Sequence, residues 1–360
     1  MIRLIRPYID FDDVKDDFKE VFDSGWFTKG KNVSRFTEDI SNYTGSKHSI
    51  LTTSATTALS SCLKILDIKK GDEVIVSDFS FPASANVIED IGAIPVFADI
   101  DPNTFNMTCE ELEKNITDKT RAVMFVDALG NPTGIHNIKE ICRKYKLPLI
   151  EDAACAIGSS ENGKRCGNIS DLTCFSFHPR KLLTTGEGGA ITTNNSDLFE
   201  RLKVKLEHGC MKIDDKMCFV DYGYNYRMSE LQCVMGIKQI QKLDEIVKER
   251  NIIRDDYIKE LSSLGFKEQK TGKDVVYNVQ SLVFLVPEDV NRDELIKFLY
   301  ENDIETTIGT YSLSNTHYYK EKYKDPLKTS LFIEKNTITF PCYRGVPVNR
   351  ISSLIKEFMR

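Results

Sequence analysis

Hydrophobic positions along the chain fall into short continuous runs, each closed by polar residues and followed by a stretch with helical spacing. The segment HSILTTSATTALSSCLKIL, residues 48–66, reads as strand, turn and helix. DEVIVSDFSF, AIPVFADID, RAVMFVDALG, LPLIEDA, LTCFSFHP and GGAITT each read as a buried strand ending in polar residues. Strands alternating with helical patterns predict an α/β sheet. In open α/β sheets ligands bind at the loops after strand C-termini, which puts Ser54, Asp127, Asp152 and Ser176 where chemistry would be. From about Ser229 to Leu264 the pattern turns helical, with Ser229 as N-cap and Leu231, Val234, Ile237 and Ile240 at helical spacing. This stretch is expected to link two lobes. Beyond it VVYNVQSLVFLV and two later helical stretches predict a smaller α+β unit. The expected division is a large domain over 1–250, whose N-terminal segment is free to pack on the other lobe, and a small domain over 251–360.

At 360 residues the chain can bury a large core. Charged residues make up 28% and the formal net charge is -6, without the basic excess that nucleic-acid binding needs. No DNA or RNA partner is expected. The start, MIRLIRPYIDFDD, lacks the apolar core of a signal peptide, and no stretch reaches the roughly 18 apolar residues of a membrane span. A cytoplasmic protein with no membrane partner is expected. Ten cysteines are scattered from Cys62 to Cys342 without a C-x-x-C pair, which predicts reduced thiols. Cys155, Cys166, Cys174 and His178 come nearest to a zinc set, but their spacing fits no standard pattern, so no metal is expected.

Three elements carry candidate chemistry. Asp152 follows an apolar strand and precedes small residues, so it is either a helix N-cap or a desolvated carboxylate needing a cationic partner. Ser54, Ala55 and Thr56 occupy a strand-to-helix turn whose hydroxyls and free N–H groups make either a plain cap or an anion site. Ser176 lies five residues before Lys181 in FSFHPRKLLTTGEGGAI, as a satisfied buried hydroxyl or a second phosphate ligand. Lys181 itself reads as a surface cation, a phosphate clamp or a nucleophile. A carboxylate for a ring nitrogen, donors for a phosphate and an amine for an aldehyde match the handles of pyridoxal 5'-phosphate. GEGG lacks the G-x-G-x-x-G spacing and precedes a strand, which speaks against a nicotinamide site.

In chain order RPYI, SGW, TTSATTAL, GDEVIVSDFSFPASAN, FADIDPNTFN, LGNPTG, IEDAACAIGS, CFSFHPRKLLTTGEGGAITTN and YGYNYRMSELQ span nearly the whole chain. Together they resemble the DegT/StrS group of nucleotide-sugar aminotransferases, fold-type I enzymes that use pyridoxal phosphate. The resemblance implies a large mixed-sheet α/β/α domain with a smaller C-terminal α+β domain. By position it makes Lys181 the Schiff-base lysine, Asp152 the partner of the pyridinium nitrogen, and Ser54, Ala55, Thr56 and Ser176 the phosphate site. Phe81 falls where the family stacks an aromatic ring on the cofactor; a core phenylalanine is the other reading. Asn225 matches an asparagine that reaches the neighbouring subunit's cofactor, which implies a homodimer with shared active sites. Cys155 stands where relatives carry glutamine, histidine or glutamate, and Ala55 replaces a more usual glycine. Trp26, Thr28, Tyr311 and His317 are the candidate substrate contacts, with His317 displaced from the family's position.

The implied reaction transfers an amino group from L-glutamate to a nucleotide-linked keto-sugar, with a 4-keto-6-deoxy sugar favoured over a 3-keto sugar, for surface-glycan biosynthesis. A fold-type I amino-acid aminotransferase and a non-catalytic homologue are the alternatives. Relatives that dehydrate the sugar carry histidine where Lys181 stands, which speaks against that activity.

Overall fold

The computed structural model describes residues 1–324 and 326–360. Seven strands form the central sheet: β1 (His48–Thr52), β2 (Glu73–Ser77), β3 (Ile94–Ala98), β4 (Thr120–Val126), β5 (Leu149–Asp152), β6 (Leu172–Ser176) and β7 (Gly189–Thr193). Their order is β1-β7-β6-β5-β4-β2-β3. β7 runs antiparallel to both neighbours, whereas the remaining pairings are parallel. Every residue of β5, β6 and β7 is buried, because helices cover both faces and leave no room for the polar alternation of a one-sided sheet. The fold is the mixed-sheet α/β architecture expected of fold-type I.

The C-terminal ends of β1, β2, β4, β5 and β6 open on one edge of the sheet, followed by Thr53, Asp78, Asp127, Ala153 and Phe177. After β1 the chain enters the helix Ala55–Ile65, capped by Ser54, whose hydroxyl accepts from Thr57 N at 3.2 Å.

A second, four-stranded antiparallel sheet comprises β8 (Lys267–Glu268), β9 (Leu282–Leu285), β10 (Thr307–Ile308) and β11 (Thr337–Phe340), in the order β8-β9-β11-β10. The N-terminus joins this unit: Ile2 bridges Ile304 in parallel and Leu4 N donates to Glu305. One helix, Leu243–Leu261, connects the two cores. Its first turns pack with Phe36 and Phe177, and its end packs with Phe284 and Phe340.

VVYNVQSLVFLV does not form one strand. Val275–Val276 pairs with Ser160–Glu161, β9 begins only at Leu282, and Val279 between them has φ +54°. Positive φ is unfavourable for a β-branched residue, so the surroundings must impose it. They do so through Arg250, whose guanidinium takes the carbonyls of Val279 and Gln280, removing them from any ladder.

Asp78, directly after β2, ties the units together. It is fully buried and accepts from Ser312 Oγ at 2.8 Å, Ser314 N at 2.6 Å, Ser314 Oγ at 3.0 Å and Ser330 Oγ. No helix among the described residues is long and apolar enough to cross a membrane. All ten cysteines are free thiols.

Candidate active site

A cavity of about 560 Å³ opens at the C-terminal edge of the sheet, within the size range of small-molecule and cofactor sites. Ser54, Ala55, Thr56, Phe81, Asp152, Cys155, Ser176, Lys181 and Tyr311 all line it. Four separate strand ends and one strand of the distal segment thus converge on one space.

Asp152 sits at its inner end, 5% exposed. Its Oδ2 accepts from Ser84 Oγ at 2.7 Å and its Oδ1 from Ala154 N at 3.2 Å. Burial raises the Asp152 pKa, and the Ser84 hydroxyl, the Ala154 amide and the Lys181 charge pull it back down. The cationic partner expected from the sequence is not a side chain in ion-pair contact. A neutral hydroxyl and an amide orient the carboxylate instead, because both can be buried without a desolvated counter-charge.

Lys181 projects from the loop between β6 and β7, and its Nζ lies 3.0 Å from Cys155 Sγ. Two glutamines from distant segments hold this loop. Gln280 accepts from Leu182 N at 2.7 Å and donates to Arg180 O at 2.8 Å. Gln239 does the same for Thr184, accepting from its N at 3.0 Å and donating to its O at 2.6 Å. Asn278 fixes the facing turn, donating to Cys155 O and Ile157 O at 2.8 Å each. The strained Val279 lies between Asn278 and Gln280, so the backbone distortion sits where two polar side chains serve two different loops.

The anion side is built from the helix start and β7. Thr57 N and Ala58 N are satisfied by Ser54. The first two amides of the helix, at Ala55 and Thr56, have no intrahelical acceptor and line the cavity. Ser176 lies across from this turn, with Gly189 between them, paired to Thr52 on one side and Ser176 on the other. A Cβ on Gly189 would lie 2.6 Å from Ser54 C and 2.8 Å from Ala55 N, so the close approach requires glycine.

Phe81 is not a core residue: it is 66% exposed, with its ring centroid 6.4 Å from that of Tyr311. The short strand Tyr311–Ser312 pairs with Phe79–Ser80, which brings the two aromatic rings to the same wall. His178 and Glu187 lie at the mouth, their side chains 3.9 Å apart.

Four predicted residues lie elsewhere. Trp26 lines a separate cavity with Gly30 and Glu230, and Thr28 is bridged to Ser229 beside it. Asn225 is exposed and bridged to Glu207, outside its own chain's cavity. The His317 side chain is 90% exposed and 3.5 Å from Glu321. The candidate zinc residues are not brought together; Cys174 lies 3.5 Å from Cys62, and Cys166 instead meets Asp127 and Glu151.

The sequence reading missed Ser84, Gln239, Asn278, Gln280 and Arg250. A signal existed for two of them, since Asn278 and Gln280 interrupt an apolar run, and polar residues inside such a run are buried with partners. It also missed Glu230, which is 2% exposed and accepts from the backbone N–H groups of Gly30, Asn32 and Val33 at 2.8 to 3.0 Å.

Known proteins share this arrangement of the whole chain. It is 32% identical to a GDP-perosamine synthase from Vibrio cholerae, over 99% of each sequence. It is 33% identical to a UDP-4-amino-4,6-dideoxy-N-acetyl-beta-L-altrosamine transaminase from Campylobacter jejuni, covering 96% of this chain and 93% of the relative. Among solved structures, PseC of Helicobacter pylori, an aminotransferase of pseudoaminic acid biosynthesis, superposes with a TM-score of 0.93 at 27% identity, over 99% of both chains. Residues 9–358 match the DegT/DnrJ/EryC1/StrS aminotransferase family, and the chain belongs to it.

Proposed function

We propose that this protein binds pyridoxal 5'-phosphate and transfers an amino group to a keto-sugar carried on a nucleotide. One observation carries the reading: a lysine amine, a buried carboxylate and the unsatisfied amides of a helix N-terminus face a single cavity from different strand ends. The donor set fits the cofactor. Ala55, Thr56, Ser54 and Ser176 would hold its phosphate, Asp152 its ring nitrogen and Phe81 a ring face. When bound, the cofactor supplies an electron sink for loss of a proton from the carbon bearing the amine.

The chain's own groups do the rest. Ser84 and Ala154 N fix the Asp152 carboxylate in place, where it would hold the ring nitrogen of a bound cofactor without rearrangement. Lys181 would hold the cofactor through Nζ, and its amine, when free, would be placed to carry a proton at that position. Gln280 and Gln239 hold its loop so that this amine returns to one place. Cys155, 3.0 Å from Nζ, is its nearest polar neighbour and only a weak hydrogen-bonding group.

For the acceptor we favour a 4-keto-6-deoxy sugar. The Campylobacter relative is named for a 4-amino-4,6-dideoxy sugar, which places nitrogen at C4 and no oxygen at C6. The Vibrio relative makes GDP the first nucleotide to test. L-Glutamate is the proposed donor, and a cytoplasmic homodimer the proposed form. Asn225 adjoins a hairpin, Cys210–Phe219, whose Met217 and Phe219 are 65% and 75% exposed, an apolar surface suited to a second copy of the chain.

Borohydride reduction of the yellow holoenzyme, followed by peptide mass spectrometry, should locate the cofactor on Lys181. A colourless protein that takes up no pyridoxal phosphate would refute the reading. GDP-, UDP- and dTDP-linked 4-keto and 3-keto sugars, assayed with L-glutamate, then assign the acceptor. Turnover of simple keto acids alone would overturn the sugar assignment.

A further inference from the structure

Behind Asp152 lies a second acidic group that the proposed reaction does not use. Asp127, just after β4, and Glu151, beside Asp152 on β5, meet the thiol of Cys166, with one polar atom of each within 4.8 Å of the others. All three residues are buried. Both carboxyl oxygens of Asp127 and Oε1 of Glu151 lack a hydrogen-bond partner. Glu151 Oε2, by contrast, accepts from Ser170 Oγ at 2.9 Å and from Thr173 Oγ1 at 2.7 Å.

Two unpaired anions this close in a dry interior would each be desolvated and would repel one another. One proton removes the repulsion and one of the two desolvated charges. Seated on Asp127, it lets the Asp127 O–H donate to Glu151 Oε1, and the Cys166 S–H donate to the other Asp127 oxygen. Each orphaned oxygen then has a partner. Glu151 already accepts two hydroxyls, so it is the better seat for the remaining charge, and the proton belongs on Asp127. The groups acting most strongly on Asp127 are Glu151, Asp152 and Cys166, and none of them is a cation. Lys139, on the far side, feels Glu151 only at longer range and gives its ammonium to the Ile169 carbonyl.

We propose that Asp127 is kept as a neutral acid sharing its proton with Glu151, and that it acts as a positioning residue for Asp152. Asp127 and Asp152 both line the cavity, and Asp127 N donates to the Asp152 carbonyl at 3.2 Å. A second negative charge there would disfavour the ionised form of Asp152 and compete with it for the cofactor's ring nitrogen. Burial first, and then the Glu151 charge, push the Asp127 carboxyl well above the ordinary carboxylate range. Burial also pushes the Cys166 thiol up, so it remains an S–H donor. The shared proton stands on the chain alone, whereas the positioning role rests on the proposed cofactor.

Infrared spectroscopy of the full chain without cofactor tests the shared proton. The carbonyl stretch of a protonated carboxyl should persist at pH values well above the ordinary Asp value of about 3.9. The component that persists to the highest pH should vanish in Asp127→Asn and remain in Asp152→Asn. Asparagine keeps an N–H for Glu151 and an oxygen for Cys166, so the variant's network stays satisfied. A wild type without this component, or an Asp127→Asn variant that keeps it, overturns the proposal, as does a stoichiometric metal ion in the purified protein. For the positioning role, alkali that removes the band should shift the absorbance of the pyridoxal phosphate-loaded wild type over the same pH interval, and Asp127→Asn should lack that shift. Loss of the band without any cofactor response refutes the role. A chain that binds no cofactor refutes the proposed function and leaves the infrared result standing.

Discussion

Replacing Gly189 by alanine tests how the anion side is assembled. Gly189 lies on β7 between Thr52 and Ser176, the strand positions that precede the helix turn and end β6. An added Cβ would sit 2.6 Å from Ser54 C, 2.7 Å from Phe175 O and 2.8 Å from Ala55 N, so it meets backbone on both sides and no side chain can swing away. Ordinary carbon contacts begin near 3.5 Å, so the Ser54–Ala55 turn must recede by about 0.7–0.9 Å. Overpacking of this kind costs about 1–3 kcal/mol of stability. The same displacement pulls the Ala55 and Thr56 amides away from a bound phosphate. Losing one charge-assisted hydrogen bond costs about 1.5–3 kcal/mol, or roughly a ten- to hundred-fold weaker cofactor. Titration of apoprotein with pyridoxal phosphate, followed by absorbance, reads the affinity, and thermal denaturation of the apoprotein reads the stability. A variant that binds the cofactor within about twofold of the wild type would refute the assignment of this turn to the phosphate.

Other expectations follow from the clamps and the buried acids. Gln280→Leu removes the acceptor for Leu182 N and the donor for Arg180 O, freeing the Lys181 loop; turnover should fall about 10- to 100-fold by steady-state kinetics while cofactor affinity changes less. Glu230→Gln leaves one oxygen for three backbone donors at the start of the helix Lys31–Thr44, and should cost about 2–3 kcal/mol in chemical denaturation. Asp127 has a folded pKa above its unfolded value, so its contribution to stability is complete below about pH 3.9 and declines as pH rises toward the folded value. The stability of the wild type relative to Asp127→Asn should therefore fall with pH, by at most about 1.36 kcal/mol per unit, in denaturant titrations at several pH values.

Local pattern carried much of the architecture. Seven apolar runs became the seven strands of the large sheet, because a strand buried on both faces needs an unbroken apolar stretch and a polar stop. That stop also placed Ser54, Asp152 and Ser176 at the open edge, and the Lys181 loop after it, before any tertiary contact was considered. Residues 275–286 instead split into two short strands on different sheets. There Asn278 and Gln280 turn toward the loops of Cys155 and Lys181, and Arg250 takes the carbonyls that a ladder would have used.

The amino-acid sequence by itself thus determined most of the elements and the polar groups that end them, since each depends on neighbours within a few residues, and the order of its motifs along the chain marked the family. Tertiary structure alone decided how those groups are held. Gln280 meets Leu182 across 98 positions, Asn278 meets Cys155 across 123, and Glu230 meets Gly30 across 200. Hydrogen bonds over such separations leave no periodic trace in a chain. The tight seat of Gly189 and the shared environment of Asp127 and Glu151 exist only once the strands lie side by side, because both arise from distances between backbones that the sequence does not encode locally.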